Sequence, residues 1–274
     1  MSNVTKTHLL SLNGAFCHYL FVPVTILSPD VKCPIPLRHK TTLTQIHMTK
    51  VTALGDSVTK GVILTESNKY SLTENSYMDI VSRELDLQIC NYGRFGSTID
   101  MGNAMIRRHS EEIATSEYTF IEYGGNDCDF DWGKIADSPM EDYAPKTRLE
   151  DFKNRFVALI LKVRELGSKP IIISLPPILS TSYFSFFSRF MSEEQKENVI
   201  NWLGGSTDII SRWHESYNRA LFMIAKETQT PIIDITTPFD TFRGDITSLY
   251  CADGIHPNIQ GHKIIATAII NNYL

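Results

Sequence analysis

From Lys50 onward, short apolar runs alternate with stretches of helical periodicity. KVTAL (50–54), LQICNYG (87–93), YTFIEYGG (118–125), PIIISLPP (170–177) and PIIDIT (231–236) are short, rich in Val, Ile and aromatic residues, and bounded by glycine, proline or polar residues. That pattern predicts buried strands. Between them, apolar positions recur at three and four residues. Tyr77, Ile80, Val81 and Leu85 mark one helix, and residues 98–109 a second. Phe152, Phe156, Leu159, Ile160 and Val163 mark a third that stops at Gly167. A fourth carries Ile209, Ile210, Trp213, Tyr217, Leu221 and Ile224, read as a core stripe, and a last one Ile264, Ile265, Ala268 and Ile269. Apolar strands separated by helices call for a parallel sheet covered on both faces. The expectation is α/β: a three-layer α/β/α flavodoxin-like sandwich with a five-stranded parallel sheet over residues 50–274.

Residues 1–49 read differently. Asp30 is their sole acid, and they carry Pro23, Pro29, Pro34 and Pro36. LFVPVTIL (20–27) reads as an edge strand because it contains a proline, and TTLTQIHMT (41–49) alternates like a strand. This segment is expected to be an N-terminal appendage of short strands. The apolar stretch from Leu9 to Leu27 is broken by Asn13, His18 and Pro23, which argues against a signal peptide and against a membrane span.

Composition narrows the function. Lys and Arg total 26 against 31 Asp and Glu, a formal net charge of −5, which argues against nucleic-acid binding. The five cysteines are an odd number, widely spaced and without a CxxC pair, so neither a zinc ribbon nor a disulfide framework is expected. A reducing, cytoplasmic location follows as an expectation. The histidines show no metal-ligand spacing, so no metal and no cofactor are expected.

In an open α/β sheet, ligands bind beyond the carboxyl ends of the strands. Four segments rich in glycine and polar residues fall there or just before the last helix: GDSVTKG (55–61), NYGRFGSTI (91–99), GGND (124–127) and CADGIHPN (251–258). Acyl transfer needs a hydroxyl, a base to take its proton, and a group to orient the base. Ser57, His256 and Asp253 supply these types. The tetrahedral oxyanion needs donors, for which the Ser57 and Gly96 N–H groups and the Asn126 amide are candidates. GDSVTKG lacks the GK[ST] order of a phosphate loop. Neither Cys128 nor Cys251 has both an orienting base and an oxyanion loop. Asp56 reads as a turn residue, Asp127 as a cap and His262 as a packing residue.

Together the four blocks resemble the SGNH, or GDSL-type, hydrolase family. GDS places the family serine at Ser57, N-x-x-x-x-G the glycine at Gly96, GGND the asparagine at Asn126, and DGIHPN the Asp253–His256 pair. Two features depart from the family pattern: GDSV stands where GDSL or GDSI is frequent, and Phe95 precedes Gly96 where serine is frequent, which leaves Gly93 open as the donor. The resemblance implies a metal-independent serine hydrolase of carboxylic esters, of carboxylesterase or acetylesterase type, forming an acyl-enzyme on Ser57. Thioesterase or lysophospholipase action, acyl transfer to another acceptor, and non-catalytic ligand binding in the same cleft stay as alternatives. The partner is a small-molecule ester, and a homo-oligomer stays open.

Two long segments at the ligand end are assigned to substrate. Residues 128–148 offer Asp131 and Trp132, and the aromatic-rich loop 176–204 offers Phe186 and Phe187. Phenylalanines covering the acyl channel would favour short chains.

Overall fold

The computed structural model describes residues 48–273. The strand expected at 20–27, and nearly all of the one at 41–49, lie outside the described residues. The chain runs β1 (Lys50–Gly55), α1 (Ser57–Lys60), β2 (Val62–Leu64), β3 (Tyr70–Leu72), α2 (Tyr77–Glu84), β4 (Gln88–Asn91), α3 (Ile99–Arg108), α4 (Ser110–Ala114) and β5 (Tyr118–Glu122). It continues through α5 (Trp132–Asp137), α6 (Leu149–Glu165), β6 (Lys169–Ile173), α7 (Ser180–Phe187), α8 (Glu193–Trp202), α9 (Asp208–Thr228), β7 (Ile232–Ile233) and α10 (Thr237–Asp240). A 3₁₀ turn at Ile246–Leu249 leads into α11 (Ile259–Asn272).

Five strands form a parallel sheet in the order β4-β1-β5-β6-β7, the flavodoxin-like order in which the first strand lies between the second and third. Successive side chains on a strand point to opposite faces, and the core divides accordingly. Val51, Ala53, Phe120, Ile171 and Ile173 join Tyr77 and Val81 of α2 and Ile265 and Ile269 of α11 on one face. Leu54, Ile121 and Ile172 join residues of α3, α6 and α9 on the other. This is the three-layer sandwich that the apolar periodicity predicts. The strands end earlier than the apolar runs do. β5 stops at Glu122 ahead of Gly124, whose φ is +142°, and β6 stops at Ile173 ahead of Pro176 and Pro177.

Two features depart from expectation. The stretch 176–204 is helical over α7 and α8 rather than an extended loop. A capping box, with Ser192 and Gln195 each bonding the other's backbone N–H, starts α8. The segment 128–148 likewise contains α5. These insertions bury each other: Phe130, Trp132, Ile135, Val199, Leu203 and Ile210 form a third apolar cluster. The second departure is the antiparallel hairpin of β2 and β3, which carries Tyr70 to the ligand end.

Candidate active site

β1 delivers the serine. It ends at Gly55, where an added Cβ would lie 2.1 Å from Thr59 Oγ1, so only glycine fits the turn. Asp56 then caps α1, its Oδ1 accepting the Val58 N–H at 2.8 Å. Ser57 opens α1 and is 6% exposed. The histidine comes from a tight loop before α11. There the Cys251 N–H donates to the His256 carbonyl at 2.8 Å, and Gly254 adopts φ +72° where a side chain would meet the Leu179 carbonyl. Asp253 Oδ1 accepts the N–H groups of Ile255 and His256 at 3.2 and 3.1 Å, which fixes the loop upon itself.

The three side chains form one relay. His256 Nδ1 lies 2.7 Å from Asp253 Oδ2, and His256 Nε2 lies 2.9 Å from Ser57 Oγ. A carboxylate only accepts, so Nδ1 carries the imidazole proton and Nε2 is left to accept from the serine hydroxyl. Burial opposes ionisation of Asp253. The hydrogen bond and charge of His256 and the two backbone N–H donors outweigh it and hold the carboxyl below its ordinary value.

Asn126, at the end of β5, donates one amide hydrogen to Asp56 Oδ2 at 3.1 Å and lines the same cleft as Ser57. Gly93 is committed elsewhere: its N–H donates to Asn91 Oδ1 at 2.8 Å, and a Cβ on it would lie 2.6 Å from the Lys60 nitrogen. Gly96 adopts φ +69° in open space, and its N–H has no hydrogen-bond partner among the described residues. Of the two glycines, Gly96 therefore has the available donor. Its neighbour Phe95 lies parallel to the His256 ring with centroids 6.0 Å apart, which places this loop at the site.

Ser57, Asn126 and His256 line a small cavity of about 70 Å³, whose apolar walls are Leu175, Ile178, Ile210, Trp132 and Trp213. Of the residues assigned to substrate, only Trp132 lines it. Asp131 does not: it turns outward, accepts the Lys134 N–H as the cap of α5 and pairs with the Lys134 ammonium at 3.1 Å. Asp129 faces the cavity instead, holding Trp132 Nε1–H and Tyr183 O–H at 2.9 Å each and the Lys146 ammonium at 2.9 Å. Phe187 stacks on the far face of Trp132 at 4.8 Å and 7°. Phe186 sits outside, 6.5 Å from Tyr70. Trp213 is a cavity wall rather than pure core, because α9 turns it toward the ligand end while Tyr217, one turn on, remains in the core.

Two titratable groups of the cleft, His214 and Glu122, were not singled out from the sequence. His214 lines the cavity, and burial lowers it to about 4, so its imidazole is neutral. Glu122 lies beneath Ser57, accepting the Thr59 hydroxyl at 2.8 Å. Burial and the Glu122 charge push Asp56 well up, and burial raises Glu122 too, since adjacent buried carboxyls resist ionising together. Asp127 caps α3 through the Ile99 N–H, and burial raises it to about 6. Cys128 donates its thiol to the Gly125 carbonyl, and burial pushes it up, away from the thiolate a nucleophile needs. Among the described residues no three His, Cys, Asp or Glu side chains gather into a metal-binding group.

The chain resembles known proteins in sequence and in shape. Lipoprotein YqeF of Bacillus subtilis (strain 168) is 24% identical over 153 residues, 54% of this chain; the chain spans about half, 55%, of that relative's length. An acetylxylan esterase from Geobacillus stearothermophilus, solved as a catalytic mutant, superposes with a TM-score of 0.55 at 21% identity over 81% of this chain and 93% of its own. A lipase/acylhydrolase from Enterococcus faecalis superposes with a TM-score of 0.52 at 16% identity over 82% and 94%. A sequence model of one family matches residues 53–264, a span that takes in the serine, asparagine and histidine segments: this chain belongs to the GDSL-like lipase/acylhydrolase family, whose members hydrolyse esters.

Proposed function

We propose that this chain is a serine ester hydrolase that works through an acyl-enzyme on Ser57 and prefers short acyl groups, as a carboxylesterase or acetylesterase does. The carrying observation is the unbroken relay from Ser57 Oγ through His256 to Asp253, at 2.9 and 2.7 Å. In the first step Ser57 Oγ attacks the ester carbonyl carbon while its proton passes to His256 Nε2. The carbonyl oxygen gains the negative charge and takes hydrogen bonds from the Ser57 and Gly96 N–H groups and the Asn126 amide. The tetrahedral species collapses, the C–O bond to the alcohol breaks, and the alkoxide leaves with the proton from His256. Water then repeats the sequence: His256 takes its proton, hydroxide adds to the acyl carbon, and Ser57 departs reprotonated. Asp253 keeps the imidazole in one tautomer throughout and stabilises its cationic form.

The preference for short acyl groups rests on the cavity of about 70 Å³, far below the few hundred Å³ of a typical ligand pocket. Trp132 is braced there from behind by Phe187 and fixed by Asp129, so the wall is rigid. The likeness in fold to an acetylxylan esterase points the same way.

A chain-length series of p-nitrophenyl esters, run beside acyl-CoA substrates, tests the reading. Activity should peak at acetyl or propionyl esters. Ser57→Ala should abolish turnover and also labelling by a fluorophosphonate, which in the wild type should modify Ser57 alone. Labelling at another residue, or turnover by the Ser57→Ala variant, would refute the acyl-enzyme.

A further inference from the structure

The imidazole of His256 separates two unlike environments. On one side is the small cavity that it lines with Ser57. On the other, two rings adjoin the imidazole, Tyr70 of β3 and Phe95 of the loop before α3, and a third, Phe186 of α7, adjoins Tyr70. Tyr70 meets His256 edge-on at 5.3 Å, and Phe95 lies parallel to it at 6.0 Å. Tyr70 also contacts Phe95 at 5.0 Å and Phe186 at 6.5 Å, so the rings form one rim. None of the three lines the small cavity. Tyr70 is 42% exposed and Phe95 52%, so ring faces stay open to solvent. Single exposed aromatics are ordinary, but a contiguous group at the mouth of a cleft marks a surface that something covers. Arg189, stacked on Phe186 at 3.9 Å, adds guanidinium donors at the outer edge.

An ester held at Ser57 has two halves, and the direction of proton flow assigns them. The departing oxygen collects its proton from His256 Nε2, so the alcohol half must lie beside the imidazole, where the rim is. The acyl half is left to the small cavity beside Ser57. We propose that Tyr70, Phe95 and Phe186 form the alcohol subsite and select esters whose alcohol carries a six-membered ring with a flat apolar face. An open aromatic face gains most from such a ring, by offset stacking or by contact with C–H groups. Aryl and pyranosyl alcohols share that chemistry. The inference rests on the ester-hydrolase reading.

The test compares kcat/KM for ethyl acetate, benzyl acetate and an acetylated methyl xylopyranoside in the wild type, Tyr70→Ala, Tyr70→Phe and Phe186→Ala. In Tyr70→Ala the benzyl-to-ethyl or the xyloside-to-ethyl ratio should fall about fivefold, mostly through KM. Phe186→Ala should shift the same ratio, and Tyr70→Phe, which keeps the ring, should restore it. Whichever ratio falls identifies the ring type. The ratio of ethyl hexanoate to ethyl acetate should not move, because the acyl chain lies elsewhere. Unchanged ring-to-ethyl ratios in both alanine variants, or a change in the acyl ratio instead, would overturn the subsite while leaving the hydrolase intact. A wild type that hydrolyses none of these esters and takes no fluorophosphonate label would overturn the hydrolase reading itself, and the subsite with it.

Discussion

Asp253→Asn isolates the orienting group of the relay. The carboxylate accepts three hydrogen bonds: the N–H groups of Ile255 and His256 on Oδ1, and His256 Nδ1 on Oδ2. Asparagine is nearly isosteric, and its carbonyl oxygen can keep the two backbone donors, so the loop should hold its shape. The third bond cannot survive as it is. An amide –NH₂ now faces Nδ1, which must turn acceptor, and the imidazole proton moves to Nε2. That nitrogen then donates toward Ser57 Oγ instead of taking its proton. In a serine protease triad the same exchange lowers kcat about ten-thousandfold, equivalent to about 5.5 kcal/mol of transition-state stabilisation. A loss of that order is expected here, because the 2.7 and 2.9 Å contacts leave the imidazole no other orientation. The stability of the variant should respond to acid with the opposite comparison. A carboxyl held low in the folded state contributes stability above its unfolded value, and that contribution vanishes as pH falls through the folded one. The wild type should therefore exceed the variant in stability at neutral pH by more than it does in acid. The assay is pre-steady-state acylation by p-nitrophenyl acetate, with thermal melting as the fold control. A folded Asp253→Asn enzyme within about tenfold of wild type would refute the tautomer argument.

The glycine loop and the cavity give further tests. Gly93→Ala should destabilise the fold, since its Cβ would press on the Lys60 nitrogen at 2.6 Å, whereas Gly96→Ala has open space and should cost about 1 kcal/mol for its positive φ. Equal melting temperatures for the two variants would contradict this. Trp213→Ala should enlarge the cavity and raise the hexanoyl-to-acetyl ratio, each accommodated methylene being worth about 0.8 kcal/mol; a flat chain-length response would place the acyl group elsewhere. His214, lowered to about 4 by burial, binds fewer protons folded than unfolded, so stability should fall as pH drops from about 6.5 to about 4. His214→Gln should flatten that slope by about 1.4 kcal/mol per pH unit in urea melts, and an unchanged slope would show the imidazole to be charged.

What the sequence reveals here follows from physical constraint. Each sheet strand must bury both faces, so β1, β5 and β6 stand out as short runs dominated by apolar residues. The turns beyond them need glycine for steric reasons, as Gly55 and Gly124 demonstrate, so the segments bearing Ser57 and Asn126 were legible by position. The walls of the cleft were not. Asp129 and Asp131 lie two residues apart in an irregular turn, and no periodicity says which carboxylate faces inward; the start of α5 decides it by taking Asp131 as its cap. Trp213 and His214 sit in a long amphipathic helix whose apolar stripe serves the core for most of its length and the cavity at one end, so periodicity alone assigned Trp213 to the core. In α7, the run SYFSFF has rings on several sides, and its helical form depends on packing against α9 and the α5 insertion rather than on its own pattern. The hairpin that carries Tyr70 has strands of three residues, too short for an alternation to register.

The buried polar groups tie the loops of the cleft to one another through hydrogen bonds. Asp56, Glu122, Asp127, Asp253 and His256 all lie buried at or beyond the strand ends, immediately above the apolar layers that include Leu54, Phe120 and Ile173. Burying such groups is unfavourable unless hydrogen bonds replace water. Here most of those bonds are local in sequence or come from an adjacent turn: Asp56 with Val58, Asp253 with Ile255 and His256, Asp127 with Ile99. Each carboxyl thus stiffens the loop that carries it, and the sheet fixes the loops relative to one another. Asn126 is the informative case. One of its amide hydrogens is held by Asp56, which orients the plane of the group, while the second remains to meet an oxyanion. In the proposed mechanism a donor held this way needs no reorganisation as charge develops on the carbonyl oxygen.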